Sequence, residues 1–221
     1  MKKFLSLLLT LTMGFTLAAC GNSGSAPSSS PASVEDSTSL ESASQTEGSS
    51  AAESTAAETG AGSHSLIVYF SWSGNTGSVA NEIQAQTGAD IFEIIPAEPY
   101  TDDYDTLLDL AQEEQAGNAR PAIAETVPNF EQYDVVYLGF PIWWGDMPMI
   151  LYTFLDGYEF AGKTIAPFVT SGGSGFSGTI GTIESMEPDA AVTDGLSLGS
   201  SAAGDPADAV SEWLGSIGTE Q

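Results

Sequence analysis

Three stretches of the chain are apolar almost without a break: Leu66 to Phe70, Val135 to Phe140 and Thr164 to Thr170. A strand with one wet face alternates apolar and polar residues, so runs like these mark strands covered on both sides, as in a parallel sheet. Two weaker strand signals, Ile91 to Ile95 and about Ala191 to Leu198, complete a set of five. Between them apolar residues recur at helical spacing: Val79/Ile83/Thr87, Tyr104/Leu107/Leu108/Ala111, Met147/Ile150/Leu151/Phe154/Leu155 and Val210/Trp213/Leu214/Ile217. A shorter helix is expected over Thr179 to Met186. Asp205-Pro206 reads as an N-cap followed by Pro at the first helical position. Five strands alternating with helices predict an α/β fold, a doubly wound five-stranded parallel sheet closed by right-handed crossovers.

The first 63 residues obey different rules. Lys2 and Lys3, an apolar stretch from Phe4 to Leu17, and Leu17-Ala18-Ala19-Cys20 read as an export signal over residues 1–19. The stretch is too short for an ordinary membrane-spanning helix. It resembles a bacterial lipoprotein signal, which implies lipidation of Cys20, an extracytoplasmic location and a membrane contact through that anchor only. Cys20 is the one cysteine, so internal disulfides and thiolate metal sites are excluded. Gly21 to Ser63 is nearly all Ser, Ala, Gly, Thr, Glu and Pro, with Val34 and Leu40 its only larger aliphatics. Such a segment cannot offset its own ordering entropy, so residues 20–63 are expected to be a disordered tether reaching on the order of 35 Å. Residues 64–221 then make one domain.

That domain carries 24 acidic residues against Arg120 and Lys163, a formal balance of −22. Nucleic acid and a bare anionic membrane surface are therefore poor partners. The acidity itself serves either solubility or the recognition of a basic partner.

In a sheet of this kind ligands sit beyond the carboxyl ends of the strands, near the reversal of strand order. Three unusual loops emerge there. Ser71-Trp72-Ser73-Gly74-Asn75-Thr76 has no charge, yet it runs from the first strand into a helix N-terminus, where free N–H groups and the helix dipole attract an anion. A phosphate is the economical ligand, although the same pattern would serve as a plain helix cap. Pro141-Ile142-Trp143-Trp144-Gly145 sets two tryptophans side by side. Both cannot enter one core, so at least one is expected over the crevice as a surface for a flat ring; the alternative puts one tryptophan in the core and the other partly over a neighbouring helix. Ser171-Gly172-Gly173-Ser174-Gly175-Phe176-Ser177 could pass close to a planar ring and offer backbone polar groups to its edge.

Other chemistries lack their context. Gly157 to Thr164 matches the P-loop expression GxxxxGK[ST], but it follows a helix and opens a strand, the reverse of the required order. No GxSxG is present, and His64, the only histidine, stands at the edge of the tether. Asp102 and Asp103 read as helix-start residues.

Taken in order, Ser71-x-Ser-Gly-Asn-Thr76, Ala119-Arg-Pro121, Gly139-Phe-Pro-Ile-Trp-Trp-Gly145 and Phe168-x-Thr-Ser-Gly-Gly-Ser-Gly175 resemble the flavodoxins, in particular bacterial flavodoxin-like proteins with a Pro-Ile-Trp-Trp-Gly loop. The resemblance spans His64 to Gly218 and implies strand order 2-1-3-4-5. It also implies FMN, its phosphate on Ser71 to Thr76 and its isoalloxazine between the Trp143/Trp144 loop and the Ser171 to Ser177 loop. A backbone group near Gly145 would respond to protonation of the ring. The final strand region lacks the long insertion of long-chain flavodoxins, so the likeness is to a short form. It implies electron carriage between redox partners, a protein or a small acceptor. Export on a lipid anchor departs from the cytoplasmic flavodoxins and puts their partners in doubt. Two alternatives stay open: an FMN-dependent reductase of quinones or nitro compounds, and a flavin-binding lipoprotein without catalysis.

Overall fold

The computed structural model describes residues 64–218. The expected signal, Cys20 and the tether therefore lie outside the described residues. Within them the chain runs β1 (Ser65–Tyr69), α1 (Asn75–Thr87), β2 (Asp90–Glu93), α2 (Tyr104–Ala116), β3 (Val135–Pro141), α3 (Met149–Gly157), β4 (Thr164–Ser171), α4 (Thr179–Met186), β5 (Ala191–Val192), β6 (Leu196–Gly199) and α5 (Ala207–Ile217). The strands pair in the order β2-β1-β3-β4-β5, with β6 also on β4, and every pairing is parallel. The expected doubly wound α/β sheet is present, and its order reverses between β1 and β3.

Alternate residues of the central strands feed two cores, as the pleat requires. Leu66, Val68, Phe70, Val136, Leu138 and Phe140 pack with Ile150, Leu151, Phe154 and Leu155 of α3. Ile67, Tyr69, Tyr137, Ala166 and Phe168 pack on the other face with Val79, Ala80 and Ile83 of α1 and Val210, Trp213 and Leu214 of α5. Burial on both faces is why these strands read as unbroken apolar runs. One glycine is fixed by this packing: a Cβ on Gly139 would lie 2.1 Å from the Phe168 ring.

Two local expectations are corrected. The last strand is broken, because Thr164↔Ala191 and Ile165↔Val192 pair on one side of the break and Phe168↔Leu196 on the other. Three residues, Thr193 to Gly195, thus stand opposite Ala166 and Pro167, a bulge beside a proline that has no N–H for the ladder. The Asp194 carbonyl, left out of the ladder, accepts the Trp213 indole N–H at 2.9 Å. At α5 the cap position is Pro206, not Asp205, with no side-chain cap; the Pro206 carbonyl takes the first helical bond from Val210. A 3-10 turn over Ala202–Gly204 occupies the preceding residues, which leaves Asp205 as its end.

Asp103 does cap α2, accepting from Thr106 N–H at 2.9 Å. The P-loop look-alike is a turn: Gly157 ends α3, Gly162 has φ 76°, and Lys163 donates to the carbonyls of Glu131 and Tyr133.

Candidate functional site

Because all strands are parallel, the loops after β1, β3 and β4 leave the same edge of the sheet. The first is a turn with open donors. Gly74, at φ 85°, precedes α1 with no side-chain cap, and the first helical turn contains no acid. The first helical bond is Ser78 N–H to the Gly74 carbonyl, and Gly77 N–H donates to Ser71 Oγ at 3.2 Å. Among the described residues, no protein acceptor meets the N–H groups from Trp72 to Thr76. Ser73 and Gly74 are exposed and Asn75 is half-buried. The Thr76 hydroxyl is turned inward, 2.8 Å from that of Thr170 at the end of β4. Trp72 is held by its indole N–H on the Thr101 carbonyl at 2.9 Å.

The second loop is a tight reversal. Trp143 and Asp146 exchange both backbone hydrogen bonds, at 2.8 and 3.0 Å, and the two residues between them have positive φ, 51° at Trp144 and 78° at Gly145. That pattern is the type I′ turn. Gly145 adopts it without cost, whereas a tryptophan there is strained, a condition that clusters at functional sites. The turn also separates the two tryptophans. Trp143 is half-buried and meets Phe70 and Tyr100 edge-on at 5.5 and 5.4 Å. Trp144 is 50% exposed and donates its indole N–H to the Leu108 carbonyl at 3.0 Å.

Asp146, which the sequence did not single out as a site residue, fastens this loop. Its Oδ1 accepts from Met147 N–H and its Oδ2 from the Tyr152 hydroxyl, both at 2.8 Å. Burial, then the adjacent Asp146, pushes the Tyr152 hydroxyl up to about 12. The Arg120 guanidinium lies 5.0 Å from the Tyr152 ring and pairs with Asp156. Asp146 carried one legible signal, its place directly after the glycine of a tight turn; Tyr152 looked like any helical aromatic.

The third loop folds around a hydroxyl. Ser171 Oγ, buried, accepts from Gly173 and Gly175 N–H at 3.3 and 3.2 Å. Gly173, Gly175 and Ser177 all have positive φ. Phe176 packs into the fold, so close to Gly195 that a Cβ there would lie 2.3 Å from the ring. Gly172, Ser174 and Ser177 are exposed. Loops two and three approach each other, since a Cβ on Gly145 would stand 3.9 Å from Ser177 Oγ. Ile142 N–H, donating to the Thr170 carbonyl at 2.9 Å, ties the second loop to β4.

The structure thus gathers Ser73, Gly74, Asn75, Trp144, Gly145, Gly172, Ser174 and Ser177 with accessible groups at one sheet edge. The Thr76 hydroxyl, Ser171, Trp72 and Phe176 support the loops from within. Among the described residues, no group of three or more His, Cys, Asp or Glu could hold a metal.

The sequence model of the flavodoxin family matches residues 64–217. The chain belongs to the flavodoxin family. A protein of Bacteroides eggerthii, provisionally described as a flavoprotein, is 35% identical over 71% of this chain and 98% of its own, with a TM-score of 0.64. One of Bacteroides uniformis, described in the same way, is 32% identical over 70% of this chain and 99% of its own, with a TM-score of 0.63. A flavoprotein of Lactobacillus acidophilus, solved in complex with FMN, shares the fold at 24% identity over 66% of this chain and 99% of its own, TM-score 0.54. No curated protein sequence matches the chain. In this flavodoxin domain the reversal between β1 and β3 sets the first two loops side by side, where the family's topology makes its ligand crevice.

Proposed function

We propose that this flavodoxin is an extracytoplasmic, lipid-anchored electron carrier that binds FMN without a covalent bond. The observation that carries the FMN reading is the turn from Trp72 to Thr76, whose N–H groups are without acceptors among the described residues at an uncapped, acid-free helix start. In a domain this rich in carboxylates, a helix start without one is ready for an anion from outside the chain. A phosphate ester suits it, and the neighbouring strained Trp144 and the Gly145–Ser177 approach suit the edge and face of a flat ring. The FMN complex of the Lactobacillus relative supports the same choice.

FMN supplies the redox chemistry when bound; the protein supplies orientation and electrostatics. The Trp72 to Thr76 N–H groups would hold the phosphate, with Ser73 and Asn75 adding side-chain donors. Trp144 would cover the ring and exclude water from that side. Gly145, free to change its backbone angles, presents peptide groups where a ring edge would pass. The surplus of acids penalises added negative charge in the site, which holds the reduction potential down.

The anchor rests on Lys2, Lys3, the apolar stretch to Leu17 and Leu17-Ala18-Ala19-Cys20. Its consequence is a carrier held at a membrane surface on a tether, with a basic redox protein or a small acceptor as partner.

The test is a pair of titrations of the purified chain, one with FMN and one with riboflavin. FMN should bind about one to one and more tightly, and Ser73→Ala should weaken FMN while leaving riboflavin nearly unchanged, a hydrogen bond to a charged group being worth roughly 1.5 to 3 kcal/mol. Equal losses for both ligands would remove the phosphate assignment.

A further inference from the structure

Behind the second loop, away from the third, lies a cavity of about 350 Å³ between Trp72, Tyr104, Leu107 and Leu108 of α2, and Trp143 and Trp144. None of residues 171–178 lines it, nor do Ser73, Asn75 or Thr76. It therefore lies on the α2 side of the second loop, and it shares Trp72, Ile142, Trp143 and Trp144 with the loops assigned to FMN.

The lining defines what could enter. It has four aromatic side chains, and no charged residue lines it, although the domain carries 24 acids. The Trp72 and Trp144 indole N–H groups are already bound to the Thr101 and Leu108 carbonyls, so both rings present their apolar surface. Two donors on lining side chains, the Trp143 indole N–H and the Tyr104 hydroxyl, have no acceptor among the described residues. Tyr104 and Trp144, 59% and 50% exposed, are two of the three large apolar side chains left open on the described surface, and both belong to this cavity. The volume is at the small end of ligand pockets, enough for two fused rings.

We infer that this cavity is a second ligand site, for a neutral, flat, two-ring molecule with carbonyl acceptors, of which a naphthoquinone is the simplest kind. Charge is excluded by the lining, because burying an unpaired ion in an apolar site is expensive. Flatness follows from the four aromatic side chains of the lining, and the carbonyls from the two unpartnered donors. The binding claim stands on the cavity alone; only its position beside a flavin rests on the function proposed above.

The experiment is a titration of the purified full chain with menadione, read by tryptophan fluorescence, with and without saturating FMN. One menadione should bind per chain in both conditions. The charged analogue 1,4-naphthoquinone-2-sulfonate should bind at least about tenfold more weakly. Leu108→Lys, on a half-buried helix position, should weaken menadione about tenfold, and Tyr104→Phe a few-fold, with FMN affinity unchanged in both variants as evidence of an intact fold. Competition between menadione and FMN would overturn the inference, since it would place the quinone in the flavin crevice. Equal binding of the sulfonate, indifference to both substitutions or no saturable binding would overturn it as well. A chain that takes menadione but not FMN would instead defeat the function proposed above and leave the second site standing.

Discussion

The hydroxyls of Thr76 and Thr170 meet at 2.8 Å inside the fold, 94 residues apart in sequence. Thr76 lies in the first turn of α1 and Thr170 near the end of β4, and both are buried, at 1% and 5% exposure. This pair sets the spacing between the first loop and the strand that launches the third. Replacing either threonine by valine strands the other hydroxyl without water and should cost about 1 to 3 kcal/mol, whereas replacing both should cost less than the two single losses together. Denaturant unfolding of the three variants checks this. Additive losses would mean that the hydroxyls act independently.

The two adjacent tryptophans should answer differently. Trp143 meets Phe70 and Tyr100 edge-on, so Trp143→Ala should cost about 2 to 4 kcal/mol of stability. Trp144→Gly should change stability by less than about 1 kcal/mol, because the relief of a left-handed backbone offsets the lost bond to Leu108. The same Trp144→Gly change should raise the fluorescence of bound flavin by removing a stacking partner. Unfolding midpoints and flavin emission measured on both variants decide it, and a large stability loss at Trp144 would make that residue part of the core.

Glu187 gives a pH dependence with a definite sign. Burial first, then repulsion from Glu159 and Asp156, raises its carboxyl from the ordinary 4.5 to about 7. Between those values the folded chain keeps a proton that the unfolded chain has lost, so this group's contribution to stability is complete below about 4.5 and declines as pH rises through 7. Glu187→Gln should therefore raise the melting temperature at pH 8 and leave it nearly unchanged at pH 4.5. Added salt should narrow the gap at pH 8, because part of the effect is screened repulsion at a half-exposed site. An equal shift of melting temperature at both pH values would assign the effect to packing instead of ionisation.

The sheet was legible because residues buried on both faces leave a signature in one dimension, and Leu66 to Phe70 and Val135 to Phe140 could hardly be anything else. The break in the last strand was not, since the bulge at Thr193 to Gly195 depends on Pro167 in a different strand and on Phe176 needing room at Gly195. Position in the site was legible at the level of loops and less so for side chains. The hydroxyls of Ser71, Thr76 and Ser171 read alike in sequence with that of Ser73, yet the first three are turned to Gly77, Thr170 and the third loop's own backbone. Which tryptophan faces outward was settled by a type I′ turn, whose signal in sequence is a single glycine at Gly145. The cavity behind Trp143 could not be read at all, because its walls come from three elements that only the fold brings together.

Association with a partner should depend on salt. The domain has 24 acids against Arg120, which is paired with Asp156, and Lys163, which points at backbone carbonyls, so neither cation relieves the surface charge greatly. Redox encounters are small and transient, and long-range attraction acts mainly on the rate at which partners meet. If the physiological partner presents a basic face, electron transfer to it should slow as ionic strength rises, since charges are screened beyond about 10 Å at 0.1 M salt. Stopped-flow oxidation of the reduced, FMN-loaded chain by a cationic redox protein across a salt series measures this, with a neutral small acceptor beside it as the control that should stay flat. A rate that is level or rises with salt for the cationic protein would leave the acidity with solubility alone, and the basic-partner assignment would fall.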